Sequence, residues 1–137
     1  MTSRATALAG IALLVGGALL WAGGVAWTGR TAPVRTVEIT ARWSHYTPAV
    51  VTAERGSTLR LVVRNTDPID HELIVGDQAV QDAHEHGNQA HHDAPGEISV
   101  PAHGVAVTWW KVTGNTMFGC HMPGHWDYGM RGVIIAT

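Results

Sequence analysis

Between Gly119 and Gly132 the chain reads Gly-Cys-His-Met-Pro-Gly-His-Trp-Asp-Tyr-Gly-Met-Arg-Gly, which spaces Cys120, His125 and Met130 as C-x4-H-x4-M. Pro123 and Gly124 supply the tight bends that fold such a segment into one loop. A soft thiolate, an imidazole and a weakly binding thioether are three of the four donors of a blue copper centre; a second imidazole completes it. His71 can provide it, at the head of Asp70-His71-Glu72-Leu73-Ile74-Val75-Gly76 and directly after a polar turn. A metal held this way keeps nearly one geometry as Cu(I) and Cu(II), so little rearrangement accompanies each electron. Each donor also has a plainer reading: Cys120 as an inert buried cysteine, His71 as a strand cap, Met130 as core packing with the axial position empty. Met117 and Met122 read as packing residues, His45 and His103 as surface or loop histidines. Trp43, Trp109 and Trp110 read as core and sheet-face aromatics.

The elements that must position these residues are strands. Val37, Ile39 and Ala41 alternate with Thr36, Glu38 and Thr40. After Val50-Val51 and the turn Glu54-Arg55-Gly56-Ser57, Leu59, Leu61 and Val63 alternate with Arg60 and Arg64. Asn65-Thr66-Asp67-Pro68 breaks that strand, and a short run from His71 to Val75 ends at Gly76-Asp77. Strand patterns resume over Glu97 to Val100, Val105 to Val112, Thr116 to Gly119 and Gly132 to Thr137. Seven or eight short strands punctuated by turns imply a Greek-key sandwich or barrel, in which the His71 strand end and the Cys-His-Met loop can share one pole. Residues Gln78 to Gly96 differ: few large apolar side chains, the histidines His84, His86, His91 and His92, and a Pro-Gly ending. They read as an insertion loop with a helical turn over Ala79 to His86.

From Ala5 to Gly29 the chain runs 25 residues without a charge. As a helix this would span roughly 37 Å, enough for a bilayer core of about 30 Å. It is longer than a signal peptide's apolar region, so a retained anchor is expected, although small residues around Gly24-Val25-Ala26 could also serve a signal peptidase. Residues 1–30 therefore read as a signal-anchor or transmembrane segment and 31–137 as one domain. The formal charge of −2, with both signs interspersed, gives no basic patch for nucleic acid and no polybasic membrane anchor. Cys120 is the chain's single cysteine, so no intramolecular disulfide exists and metal ligation is a good reason for an exported thiol.

The loop and His71 resemble the cupredoxin family, in particular small bacterial plastocyanin- and azurin-like domains with a C-H-x-P-G-H-x3-G-M loop. The resemblance covers Val34 to Thr137. It implies an all-β fold, a Greek-key cupredoxin-like β-sandwich, here preceded by one N-terminal transmembrane helix. It also implies one type-1 copper per chain, with His71, Cys120 and His125 as a trigonal set and Met130 as a long axial ligand. His125 would be the ligand nearest solvent and the route for electrons, with Trp126 and Tyr128 as a docking surface beside it. Two departures stand out: Glu72 where many members carry asparagine, and the histidine-rich Gln78 to Gly96 insertion.

His121 also resembles part of the last copper motif of multicopper oxidases, but Gly119 leaves one flank of that motif missing and there is only one His-x-His pair, His84-Glu85-His86. A dinuclear electron-transfer site needs two bridging cysteines, and zinc and Ser/His/Asp hydrolase readings have no motif. The expectation is a non-enzyme: a membrane-tethered, extracytoplasmic carrier of single electrons between redox partner proteins. The alternative is a copper-handling protein that buffers, delivers or confers tolerance to copper, with a weaker second copper in the His84 to His92 loop. The copper domain is placed on the extracytoplasmic side of the cell membrane, or secreted if the N-terminal segment is removed.

Overall fold

A computed structural model describes residues 32–87 and 94–137. Among them are nine strands and one helix: β1 (Val34–Arg42), β2 (His45–Thr47), β3 (Val50–Ala53), β4 (Thr58–Asn65), β5 (His71–Gly76), α1 (Gln78–His86), β6 (Glu97–Val100), β7 (Val105–Lys111), β8 (Thr116–Gly119) and β9 (Arg131–Ala136). The strands form two sheets, in the orders β2-β1-β4-β7 and β3-β9-β8-β5-β6. Two pairings are parallel, β1 with β4 and β3 with β9. Neither pair is consecutive in sequence: between the two strands the chain crosses to the other sheet, since parallel neighbours need a crossover connection.

The alternation in sequence decides which side of each strand is buried. Val37, Ile39 and Ala41 of β1 and Leu59, Leu61 and Val63 of β4 face Leu73 and Val75 of β5, Phe118 of β8 and Ile134 of β9 in one apolar cluster. Burying side chains of this size stabilises the fold by about 1.5–3 kcal/mol each. Arg60 and Arg64 alternate out of this face, as a period of two demands.

Strand β5 breaks the pattern, being buried on both faces from Leu73 to Gly76. The cause is α1, which covers the outer face. Asp77 caps the helix by accepting the Val80 N–H at 3.0 Å, and buried Gln81 donates to the carbonyls of Ile74 and Gly76. The segment expected to be a loop with one helical turn is thus, up to His86, a packed helix. The insertion is polar because most of the helix faces water, and the buried group is an amide with no apolar signature. His91 and His92 lie outside the described residues.

Trp43 departs from its expected place in the core or on a sheet face: it is 74% exposed, in the turn between β1 and β2. The turn holds Trp43 and Ser44 at φ of 55° and 54°, and Arg42 lies over the indole ring. No helix among the described residues is long and apolar enough to cross a membrane. The expected anchor, Ala5 to Gly29, lies outside them.

Candidate metal centre

Three of the expected donors meet at one pole of the sandwich. His71 opens β5, Cys120 follows the last residue of β8, and His125 lies in the loop from β8 to β9. One donor atom from each lies within 4.8 Å of the other two. His71 Nδ1 is 3.3 Å from His125 Nδ1, which is 3.3 Å from Cys120 Sγ. Donors about 2.0–2.3 Å from a shared ion and spread trigonally around it would lie roughly 3.5–3.8 Å apart, so the cluster needs little adjustment to close on one metal. Met130, the fourth expected donor, is fully buried immediately before β9. Its backbone ties it to the cluster: Cys120 N–H donates to Met130 C=O and Met130 N–H to His125 C=O, both at 3.0 Å. Further turn bonds, from His125 N–H to Met122 C=O and from Tyr128 N–H to Gly124 C=O, make the loop a self-bonded unit.

His71 is oriented from behind. Its Nε2 lies 2.8 Å from Asp67 Oδ2, so Nε2 carries the proton and Nδ1 turns its lone pair to the cluster. Asp67 in turn accepts the N–H groups of Trp43 and Ser44. Burial opposes its ionisation, but those two N–H groups and His71 outweigh it and hold the carboxyl below its ordinary value of 3.8. Asn65, also buried, donates to the carbonyls of Ile69, Val100 and Pro101 and fixes the start of this turn.

Burial, with His71 beside it, lowers the pKa of His125, against the pull of the Glu72 and Asp67 carboxylates. It is therefore neutral at pH 7 and its lone pair is available. Burial pushes the Cys120 thiol up to about 11, although the N–H groups of Glu72 and Met122 favour the thiolate. Without metal the sulfur thus keeps its proton at neutral pH, and a metal must displace it. His71, Cys120 and Met130 are buried, whereas His125 is partly exposed, the position expected of the ligand nearest solvent.

Glu72 bridges the two halves of the site, Oε1 accepting the His121 N–H at 2.8 Å. His121 itself is fully engaged: Nδ1 lies 2.8 Å from Glu85 Oε2, Nε2 lies 2.8 Å from Gln81 Oε1, and the ring stacks on Trp126 at 4.8 Å. Both partners belong to α1, so the histidine beside Cys120 anchors the helix instead of facing a second metal cluster. Trp126 is half-buried, held between His121 and the Arg131 guanidinium, 5.2 Å from its centroid, and Tyr128 is 76% exposed. Gly119, noted in the sequence for what it lacks, has a steric role. A Cβ there would fall 2.3 Å from the Trp126 ring.

Asp67, Gln81 and Glu85 were not singled out in the sequence. Asp67 sits in a turn where an aspartate is ordinary, and the only cue was its place four residues before His71. His84 and His86 do not converge. Each directs Nδ1 at the carbonyl four residues back, but His84 is largely covered and His86 exposed, because residues two apart on a helix point to different sides.

No protein-family model matches the chain. A copper-resistant cuproprotein, CopI, from Rubrivivax gelatinosus is 34% identical over 96 residues, covering 66% of this chain and 58% of that protein. The dithionite-reduced auracyanin of Roseiflexus castenholzii superposes with a TM-score of 0.62 at 21% identity, over 74% of this chain and 96% of that one. The domain has a cupredoxin-like fold. A multicopper oxidase superposes with a TM-score of 0.54 at 17% identity, over 75% of this chain and 42% of the oxidase. The cupredoxin sandwich brings together a thiolate and two imidazoles, and this donor set fits one copper ion.

Proposed function

We propose that this cupredoxin holds one type-1 copper through His71, Cys120 and His125, with Met130 as axial ligand, and carries single electrons between redox partner proteins. The observation that carries this reading is the trio of donors within 4.8 Å, two of them on a loop closed by its own backbone hydrogen bonds. Such a frame resists the change of geometry that each redox state would otherwise prefer. Partly exposed His125 gives electrons a short way out, and exposed Tyr128 and Trp43 offer contact area near the site. The uncharged stretch from Ala5 to Gly29 supports a tether that keeps the domain on the extracytoplasmic side. Fractionation with membranes, and access of protease to the domain in spheroplasts, tests that placement.

A second reading is copper handling, favoured by the name of the Rubrivivax relative, a copper-resistant cuproprotein. Copper titration with visible spectroscopy tests the shared core of both. Oxidised protein should show an intense thiolate-to-copper band near the red end of the spectrum, and Cys120→Ser should remove it and leave the fold intact. A band that survives in Cys120→Ser overturns the ligand assignment. The two readings then part on phenotype. A handler's deletion sensitises cells to copper, whereas a carrier's deletion slows an electron-transfer chain at ordinary copper levels.

A further inference from the structure

We propose a second, open metal site on the flank of the sandwich, in which His84 Nε2 and Glu97 Oε1 hold a divalent first-row transition ion, Cu(II) by preference. His84 Nδ1 lies 2.9 Å from Val80 C=O, and a carbonyl can only accept, so Nδ1 bears the proton. In the neutral ring the other nitrogen then presents its lone pair. It is buried without a hydrogen-bond partner, on a side chain only 6% exposed, and faces the Glu97 carboxylate at 3.7 Å.

A lone pair opposite a carboxylate is an arrangement that a metal cation between them would satisfy. The separation is too long for a hydrogen bond. It suits two donors that each lie about 2.0–2.2 Å from one ion at a wide angle. A backbone carbonyl holding the far N–H is also the support that metal-binding imidazoles commonly have. The Glu97 side chain is 15% exposed, so water can reach the gap and fill the remaining positions. One imidazole and one carboxylate, without sulfur, favour a divalent ion, and copper binds such donors most strongly in the first-row series. This differs from the thiolate centre, whose donors also suit Cu(I). The described part of the histidine-rich insertion thus contributes through one inward histidine, paired with a glutamate of β6.

The test titrates a second equivalent of Cu(II) into full-length protein carrying one oxidised copper, followed by electron paramagnetic resonance and the visible spectrum. Expected is a second signal with wide parallel hyperfine splitting and coupling to one nitrogen. His84→Gln and Glu97→Gln should each weaken it at least tenfold and leave the visible band unchanged. His86→Ala and the double substitution of His91 and His92 by Ala should not affect it. Glu97→Gln, a neutral isostere at a partly exposed position, keeps the test valid if His84→Gln disturbs α1. No second signal, or one that persists in both glutamine variants, overturns the proposal. The result is independent of the type-1 assignment, because the second signal and the visible band are read separately.

Discussion

Asp67 Oδ2 lies 2.8 Å from His71 Nε2, and the same carboxylate accepts two N–H groups from the turn between β1 and β2. One side chain therefore sets the imidazole's tautomer and fastens two loops. Asp67→Ala should lower copper affinity by about 10- to 100-fold and destabilise the domain by about 1–3 kcal/mol. The carboxyl is held below 3.8 in the fold, so its stabilisation is present above that value and is lost as pH falls through the lower folded-state pKa. Melts across pH should show wild type and Asp67→Ala far apart near neutrality and converging in strong acid. A constant gap at every pH would contradict the assignment.

Copper loading should release a proton, since burial keeps the Cys120 thiol protonated up to about 11. Apparent affinity should then rise by about tenfold per pH unit between pH 7 and 9. Competition with a chelator of known pH dependence measures the slope. In Cys120→Ser the slope over this range should vanish.

Met130→Gln should keep a coloured site and lower its reduction potential, because a harder oxygen donor favours Cu(II). His125→Gly should instead open an equatorial position and alter the colour. Voltammetry and absorption spectra of the two variants separate the roles; equal, negligible changes in both would show that neither residue binds the metal.

Gly119→Ala should push Trp126 off its seat, since the new methyl would fall 2.3 Å from the ring. Overpacking of this kind costs about 1–3 kcal/mol. The lost Trp126–His121 stack should appear as a shift in tryptophan fluorescence, with a change in the copper band as the neighbouring Cys120 moves. Unchanged fluorescence and stability would show that the loop absorbs the methyl elsewhere.

Much of this was legible from residue type and period. Leu59, Leu61 and Val63 announced a half-buried strand because a pleat puts alternate residues on one side, and all three are fully buried. His71, Cys120 and His125 were readable because few chemistries want a thiolate and two imidazoles together. Asp67, Glu72 and Gln81 were harder. Their roles depend on a single partner distant in sequence or on another element, and a lone polar residue carries no periodicity. The three-residue strand β2 is too short to show an alternation, and Trp43 looked like core because its bulk suggests burial while its turn geometry is invisible in sequence.

His71, at the head of β5, and His125, in the loop from β8 to β9, are 54 residues apart in the chain. A single ion gripped by both closes the intervening segment into a ring, much as a disulfide would in a chain that has one cysteine. Unlike a disulfide, such an ion would act on the folded state alone, because its donors come together only there. Metal and fold would then act as one cooperative unit: stripping the ion would loosen β5 from the β8–β9 hairpin, and thermal separation of those strands would set the ion free.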